Sequence, residues 1–380
     1  MYMTRTFHPV GQGGFFTEKF SDKDSGKEFT VAYDVGSTTG KMKYLQKAID
    51  SVGKVDVVFL SHLHEDHING IPLLLKKNKN LKIIMPVLLI EEQLETAFYN
   101  MTNSNGSFEV YNDVSFASEF GIRNRDTIVT IGKSDNTPFR QEIQLKEVSG
   151  NNVHQKLVYD KWLYIPYNPC SVKSKDLAKV IIESNDEEIR HILQLNENDE
   201  YEIDSEALRR VFQNNPQKIK EIYKKICGDH NAYSMSLYSG PIDNSGNSSK
   251  STGLISSCCG KSKPCFDSLK MSSWNVEHGL YTGDAELCDH MSCDQLIKYY
   301  KDYWHSIGIL QVPHHGSAKN FNSKLCDKPP LNRLFIISVG SNNSYGHPSV
   351  SVINEIYEKS GCLSIITESS VPLAFNYIAY

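Results

Sequence analysis

The sequence predicts a mixed α/β protein, an αββα sandwich carrying a helical insertion, and three observations lead there. Apolar runs of strand length alternate with amphipathic helical stretches around a β-rich N-terminal frame. One such run, 55–60, ends in Ser61-His62-Leu63-His64-Glu65-Asp66-His67 and feeds straight into a helical stretch at 68–77, so the motif lies on a strand-to-helix loop. From 171 to 227 the pattern becomes helical, which marks an insertion or cap within a single domain spanning 1–380.

Each element has a local reason. Residues 7–16 read as strand, glycine turn and strand, and 29–37 as a further strand closed by Asp34-Val35-Gly36-Ser37. A helix is expected over 41–49, a strand over 81–85 and an amphipathic helix over 86–100. Short strands follow at 127–131, 142–148 and 157–165, separated by Asn, Ser and Gly turns. In the insertion, helices are expected at 174–183, 186–195, 204–212 and 217–226, with acidic N-terminal and basic later positions that suit the helix dipole. Residues 240–273 are rich in Ser, Gly, Asn and Lys and read as a long mobile loop. Order returns with strands at 278–281, 307–312 and 334–340 and a helix at 293–303.

Bulk properties bound the function. An apolar fraction of 39 % over 380 residues suffices for a sizeable core. The net charge is −5 with Lys and Arg scattered, so nucleic acid is left open as a partner but gains no support from charge. The N-terminus lacks the apolar core of a signal peptide and no run reaches the roughly eighteen apolar residues of a membrane span, so a cytoplasmic protein with no membrane partner is expected. Nine cysteines, an odd number without regular pairing, fit reduced thiols. Cys258, Cys259 and Cys265 could join Cys288 or Cys293 in a zinc knot, or belong to a flexible loop; no Cys-x-x-Cys pair decides between them.

Three imidazoles and a carboxylate within six positions are costly to bury without a purpose, and such a set suits zinc, or iron or manganese where oxygen ligands weigh more. His-x-His-x-Asp-His after an apolar strand resembles the metal-binding signature of the metallo-β-lactamase fold. Later segments extend the resemblance in order. Gly228-Asp229-His230-Asn231-Ala232-Tyr233-Ser234 is similar to the turn that supplies a lone histidine ligand, or to the Asn-x-x-Ser turn of the ComEC-like branch. An apolar strand ending in Gly283-Asp284 is similar to the position of the bridging carboxylate. Pro313-His314-His315-Gly316-Ser317 and Gly346-His347-Pro348 resemble the motifs of that same ComEC/Rec2-like branch. Asp34 is placed either to brace a ligand's second ring nitrogen or to open a plain helix turn.

The resemblance implies two divalent metal ions, zinc first with manganese or iron open. His62, His64 and His230 fall to one ion, Asp66, His67 and His347 to the other, with Asp284 bridging. Asp66, His314 and His315 are the implied catalytic residues, His314 or His315 as proton donor or phosphate holder. The alternative, that one of that pair is the last ligand and His347 stands behind it, stays open. The implied activity is hydrolysis by a metal-bridging hydroxide, first of all of a phosphodiester or nuclease-type substrate that is anionic and phosphate-containing. A lactone, thioester or β-lactam hydrolase, or a catalytically silent metal-binding regulatory protein, are the other readings. The insertion is expected to shape substrate access.

Overall fold

A computed structural model describes residues 1–103, 112–134, 142–151, 153, 155–170, 172–226, 234–242, 254–257, 276–327, 333–359 and 362–378. The chain opens with an antiparallel meander, β1 (Tyr2–Phe7), β2 (Phe16–Ser21) and β3 (Glu28–Tyr33). Helix-bearing crossovers then force the next strands to run parallel. Thus α1 (Lys43–Val52) leads to β4 (Val57–Phe59), α2 (Glu65–Ile68) and α3 (Ile71–Lys77) to β5 (Lys82–Pro86), and α4 (Ile90–Asn103) and α5 (Asp113–Glu119) to β6 (Ile128–Ile131).

A second sheet begins with β7 (Glu142–Gln144), β8 (Lys156–Tyr159) and β9 (Trp162–Tyr167). It is interrupted by α6 (Val172–Ile182), α7 (Glu187–Arg190), a hairpin of β10 (Leu193–Leu195) and β11 (Tyr201–Ile203), α8 (Ser205–Asn214) and α9 (Pro216–Ile226). It resumes with β12 (Ser236–Pro241), while β13 (Leu254–Ser257) crosses to the first sheet. Then come β14 (Gly279–Tyr281), α10 (His290–Tyr299), β15 (Ile309–Gln311), β16 (Leu334–Ser338), α11 (Val350–Lys359) and β17 (Leu363–Ile366), and β18 (Leu373–Ile378) returns to pair antiparallel with β1. The strand orders are β13-β18-β1-β2-β3-β4-β5-β6 and β17-β16-β15-β14-β12-β9-β8-β7.

The central strands of both sheets are buried on two faces and show period-two sorting of apolar residues into layers, whereas β1 alternates buried and half-buried positions. In β9, Trp162 and Tyr164 enter the core between the sheets while Leu163, Ile165 and Tyr167 face α10 and α11. In β5, Ile84 points inward and Ile83 and Met85 face the layer of α1, α3 and α5. The result is the expected αββα sandwich.

Three expectations change. The single strand expected at 157–165 is a hairpin, because Asp160 takes a left-handed turn (φ 52°) between β8 and β9. The helix expected over 186–195 stops at Arg190 and gives way to β10, so the insertion is helical with a two-stranded ribbon. Within the loop expected at 240–273, residues 254–257 form β13 against β18. Helices α6 to α9 share one apolar cluster with α4, built on Leu94, Phe98, Leu177, Ile181, Leu208 and Ile219. Cys258, Cys259, Cys265 and His230 lie outside the described residues; Cys170, Cys288, Cys293, Cys326 and Cys362 are free thiols.

The sheets are joined by a buried ion pair. Arg5 of β1 donates from Nε to Glu18 of β2 at 2.9 Å, and Glu18 also accepts from Tyr164 (2.8 Å), Tyr281 (2.8 Å) and the Ser239 hydroxyl (2.7 Å) of the other sheet. The guanidinium reaches the carbonyls of Val276 (2.6 Å) and Glu277 (3.1 Å), just before β14.

His8, next to β1, is buried, stacks on Phe15 at 4.7 Å and shares a 2.8 Å hydrogen bond with Thr17; burial pushes its pKa down to about 3. His278, before β14, is pushed down to about 4 by burial and by Arg5. Both are depressed below the unfolded value near 6.5, so the unfolded chain binds protons that the folded chain refuses. Their contribution is therefore complete above pH ~6.5 and is lost as pH falls, at up to about 1.4 kcal/mol per pH unit for each histidine. A His8→Gln variant is expected to lose about 2 kcal/mol less than wild type between pH 6.5 and 4.5 in urea unfolding. Parallel losses would show that His8 takes up its proton in the folded state.

Candidate metal centre

The centre forms where loops at the C-terminal ends of β3, β4, β14, β15 and β16 converge. Asp34 follows β3 in a left-handed conformation (φ 55°) and is fully buried. Its Oδ1 accepts from the Ser61 backbone at 2.7 Å; its Oδ2 accepts from the Ser61 hydroxyl at 2.9 Å and lies 2.8 Å from His67 Nδ1. The bracing role for Asp34 is therefore present, and it turns His67 Nε2 inward. Gly36 lets the Asp34 turn press against the motif loop: a Cβ there would lie 2.3 Å from the Asp66 carbonyl carbon and 2.4 Å from His67 N. Glu65 and Asp66 occupy the first turn of α2, where acidic residues suit the helix dipole.

Asp284 arrives from the other sheet. Gln311 of β15 holds its turn, accepting from the Thr282 and Gly283 backbones at 2.8 Å each and donating to the Gly283 carbonyl at 3.1 Å. Gly283 takes φ 54°, and a Cβ there would meet the Ser234 hydroxyl at 2.3 Å. That hydroxyl accepts from the Asp284 backbone at 3.1 Å, so Ser234, the last residue of the turn singled out in the sequence, abuts this loop.

The carboxylate of Asp284 is central. Its Oδ1 lies 3.3 Å from His67 Nε2 and 3.9 Å from His315 Nε2; its Oδ2 lies 3.7 Å from His62 Nε2 and 3.8 Å from His314 Nε2. Asp66 Oδ2 is 3.5 Å from His315 Nε2 and 3.8 Å from His67 Nε2. Two sets of donor atoms cluster within 4.8 Å of one another, His62, His67 and Asp284, and Asp66, His67 and His315.

Sequence expectation and geometry differ at two described positions: His64 and His347 stand in neither set. His347, placed by motif in the set with Asp66 and His67, lies within 4 Å of none of these carboxylates; its ring is 5.5 Å from that of His314. His315 occupies the place instead. The physical reason is the 3₁₀ turn 313–316: His314 (φ 47°) and His315 (φ 54°) are both left-handed, which turns both side chains toward the carboxylates. The Ser338 carbonyl accepts from His315 Nδ1 at 2.7 Å; a carbonyl cannot donate, so the proton is on Nδ1 and the Nε2 lone pair faces the centre. Asn320 orients His314 likewise. Its Nδ2 donates to the Asp284 carbonyl at 3.1 Å, leaving Oδ1 to accept from His314 Nδ1 at 2.8 Å.

Among the described residues, His62 Nε2, His64 Nδ1, His67 Nε2, His315 Nε2 and His347 Nδ1 are buried without a hydrogen-bond partner. Five unpartnered ring nitrogens about a pair of carboxylates are a poor solution for a dry core and a good one for a cation, so the residues fit divalent metal. The electrostatics agree. Burial holds His62 and His64 well below the ordinary histidine range, ready as neutral donors. For His67, burial opposes protonation but Asp284, Asp66 and Asp34 outweigh it and hold it well above that range. Asp284, despite burial, is held well below the carboxylate range by His67, His314 and His315.

Several residues of the centre were not singled out from the sequence. Gln311 had a signal, a lone amide in the apolar run 307–312. Asn320 had none. Tyr99 of α4 stacks on His64 with ring centroids 3.6 Å apart and planes 9° apart, and Tyr223 of α9 meets Tyr99 edge-on at 6.3 Å. Above the centre lies a cleft of about 510 Å³ lined by Asp66, Tyr99, Asp284, His314, Lys319 and Tyr345 among others. None of the described lining residues belongs to 172–226. Among the described residues the insertion meets the centre through the Tyr223–Tyr99 contact.

The family model described as the metallo-beta-lactamase superfamily matches residues 25–145, the stretch that carries Asp34 and the His62–His67 loop. Similar solved structures include the metallo-β-lactamase fold protein YhfI of Bacillus subtilis, at 10 % identity over 98 % of this chain and 99 % of that one with a TM-score of 0.41. A diphosphatase of the PhnP family (9 %, all of both chains, TM-score 0.40) and unliganded yeast PDE1 (8 %, all of both chains, TM-score 0.39) are others. No curated protein matches the chain. Sandwich, loop placement and family model together define the class: the chain has the metallo-β-lactamase fold, with His/Asp groups that could hold metal. Among the described residues no helix is long and apolar enough to cross a membrane.

Proposed function

We propose that the chain is a dinuclear metal-dependent phosphodiesterase of the ComEC-like branch, with zinc as its first-choice metal. On this reading His62 and His64, with His230 from the sequence, serve one ion; Asp66, His67 and His315 serve the other; Asp284 lies between. Two divalent ions at such a centre supply Lewis-acid activation of water and neutralise charge on both the attacking and the leaving oxygen.

The observation that carries the phosphodiester reading is the cleft wall beside His314. Lys319 supplies a cation. The Ser349 hydroxyl accepts from Ala318 N at 3.1 Å and the Ser317 hydroxyl from Lys319 N at 3.3 Å, so each keeps its own proton to donate to an anionic oxygen. His314, with Nδ1–H locked on Asn320, presents Nε2 to the cleft. As the imidazolium it carries a proton at Nε2 too, which passes to the leaving oxygen and leaves the neutral ring held on Asn320. His347 is left out of the ligand set and faces the cleft instead.

The test is a panel of bis(4-nitrophenyl) phosphate, an aryl lactone and nitrocefin, run on metal-free protein and after loading with zinc, manganese or iron. Metal-dependent cleavage of the diester is expected, with His314→Ala lowering kcat about 10²- to 10⁴-fold at unchanged metal content. Faster turnover of the lactone or nitrocefin, or no turnover of any substrate by a fully loaded protein, would sink the reading.

A further inference from the structure

One feature of the cleft rim is used by neither metal binding nor proton transfer. The ring of Tyr345 is 65 % exposed, yet the loop that carries it is locked. Asn343 Oδ1 accepts from the backbones of Tyr345 (3.2 Å) and His347 (3.0 Å), and Asn343 Nδ2 donates to the carbonyls of Gly340 (2.9 Å) and His347 (2.7 Å). Farther along, the Ser341 backbone donates to Glu368 at 3.0 Å. The loop is thus fixed by its own amide and not by packing of Tyr345, whose ring could be small or polar without loss of a core contact.

What Tyr345 does have is a neighbour of the same orientation. Its ring and that of His347 lie 6.0 Å apart with planes 16° apart. His347 in turn is 5.5 Å from His314, whose Nε2 is 3.8 Å from Asp284. Two near-parallel rings therefore lead outward from the proton donor along one wall of the cleft. Exposed single aromatics are common on protein surfaces. An aromatic held on a hydrogen-bonded loop at the mouth of a reaction centre is a stacking surface, because π-faces bind planar groups at low entropic cost when already fixed.

We propose that Tyr345, with His347, is a specificity platform, and that the substrate is a phosphodiester bearing a flat aromatic group of the nucleobase kind beside the scissile phosphate. This rests on the phosphodiesterase reading. The role also accounts for His347 standing in the cleft and apart from the carboxylates.

The test measures binding to the metal-loaded full chain of adenosine 5′-monophosphate and ribose 5-phosphate, which share sugar and phosphate and differ by the base. Wild type is expected to bind the nucleotide at least about tenfold more tightly. Tyr345→Phe keeps that preference; Tyr345→Ala removes most of it while leaving ribose 5-phosphate affinity unchanged. Equal affinities in wild type, or a preference that survives Tyr345→Ala, overturn the platform while diester cleavage, measured separately on bis(4-nitrophenyl) phosphate, leaves the phosphodiesterase reading standing. A nucleotide preference in a fully loaded chain that cleaves no diester overturns the phosphodiesterase reading, and the substrate claim with it.

Discussion

Asp284→Ala is expected to strip metal from the centre and to lower diester cleavage by at least about a thousandfold, the several kcal/mol that charge stabilisation by paired cations contributes. The expectation follows from how the two carboxylate oxygens divide the cluster, Oδ1 toward His67 and His315 and Oδ2 toward His62 and His314. Removing one side chain takes the anionic neighbour from all four histidines at once. Asp284→Asn keeps shape and one carbonyl oxygen but loses the charge, so partial metal content with poor turnover is expected. Elemental analysis of the purified variants, with circular dichroism to confirm the fold, separates loss of metal from loss of structure. Wild-type metal content in Asp284→Ala would refute the bridging position.

Glu18→Ala is expected to destabilise the chain by about 3–5 kcal/mol, because it leaves Arg5 as an uncompensated buried charge. Three further donors, on Tyr164, Tyr281 and Ser239, lose the same acceptor. The effect should be larger than that of removing the pair together. In Arg5→Met/Glu18→Leu the charges leave as a unit, and apolar replacement of a buried pair is often neutral. Since Arg5 also holds the carbonyls that precede β14, the single variant should lose metal affinity through Asp284 as well. Urea unfolding of the three proteins gives the energies. A single variant within about 1 kcal/mol of wild type would show the network to be dispensable.

Much of the fold was legible because its signals are local. A strand buried on both faces reads as an apolar run, so 55–60, 81–85 and 307–312 were legible as strands. Errors fell where a single backbone angle decides. Asp160 turns what reads as one strand into a hairpin, and β10 follows α7 because a partner strand lies eight residues on, which no periodicity reveals.

The metal loop was determined by sequence alone: His62, His64, Asp66 and His67 lie within six residues, and a strand-to-helix turn brings such neighbours together whatever surrounds it. Asp34 and Asp284 were recognisable through Asp-x-Gly and Gly-Asp, where glycine is required for backbone contact at Gly36 and for a left-handed turn at Gly283. Only the tertiary structure shows that His315, and not His347, stands beside Asp66 and Asp284. The choice rests on left-handed backbone at His314 and His315 and on the Ser338 carbonyl, a hydrogen-bond partner 23 residues away with no side-chain signature. The same holds for Tyr99 on His64 and for Asn343 beneath Tyr345. Spacing along the chain names the donors, but their orientation is set by contacts between segments that sequence order leaves far apart.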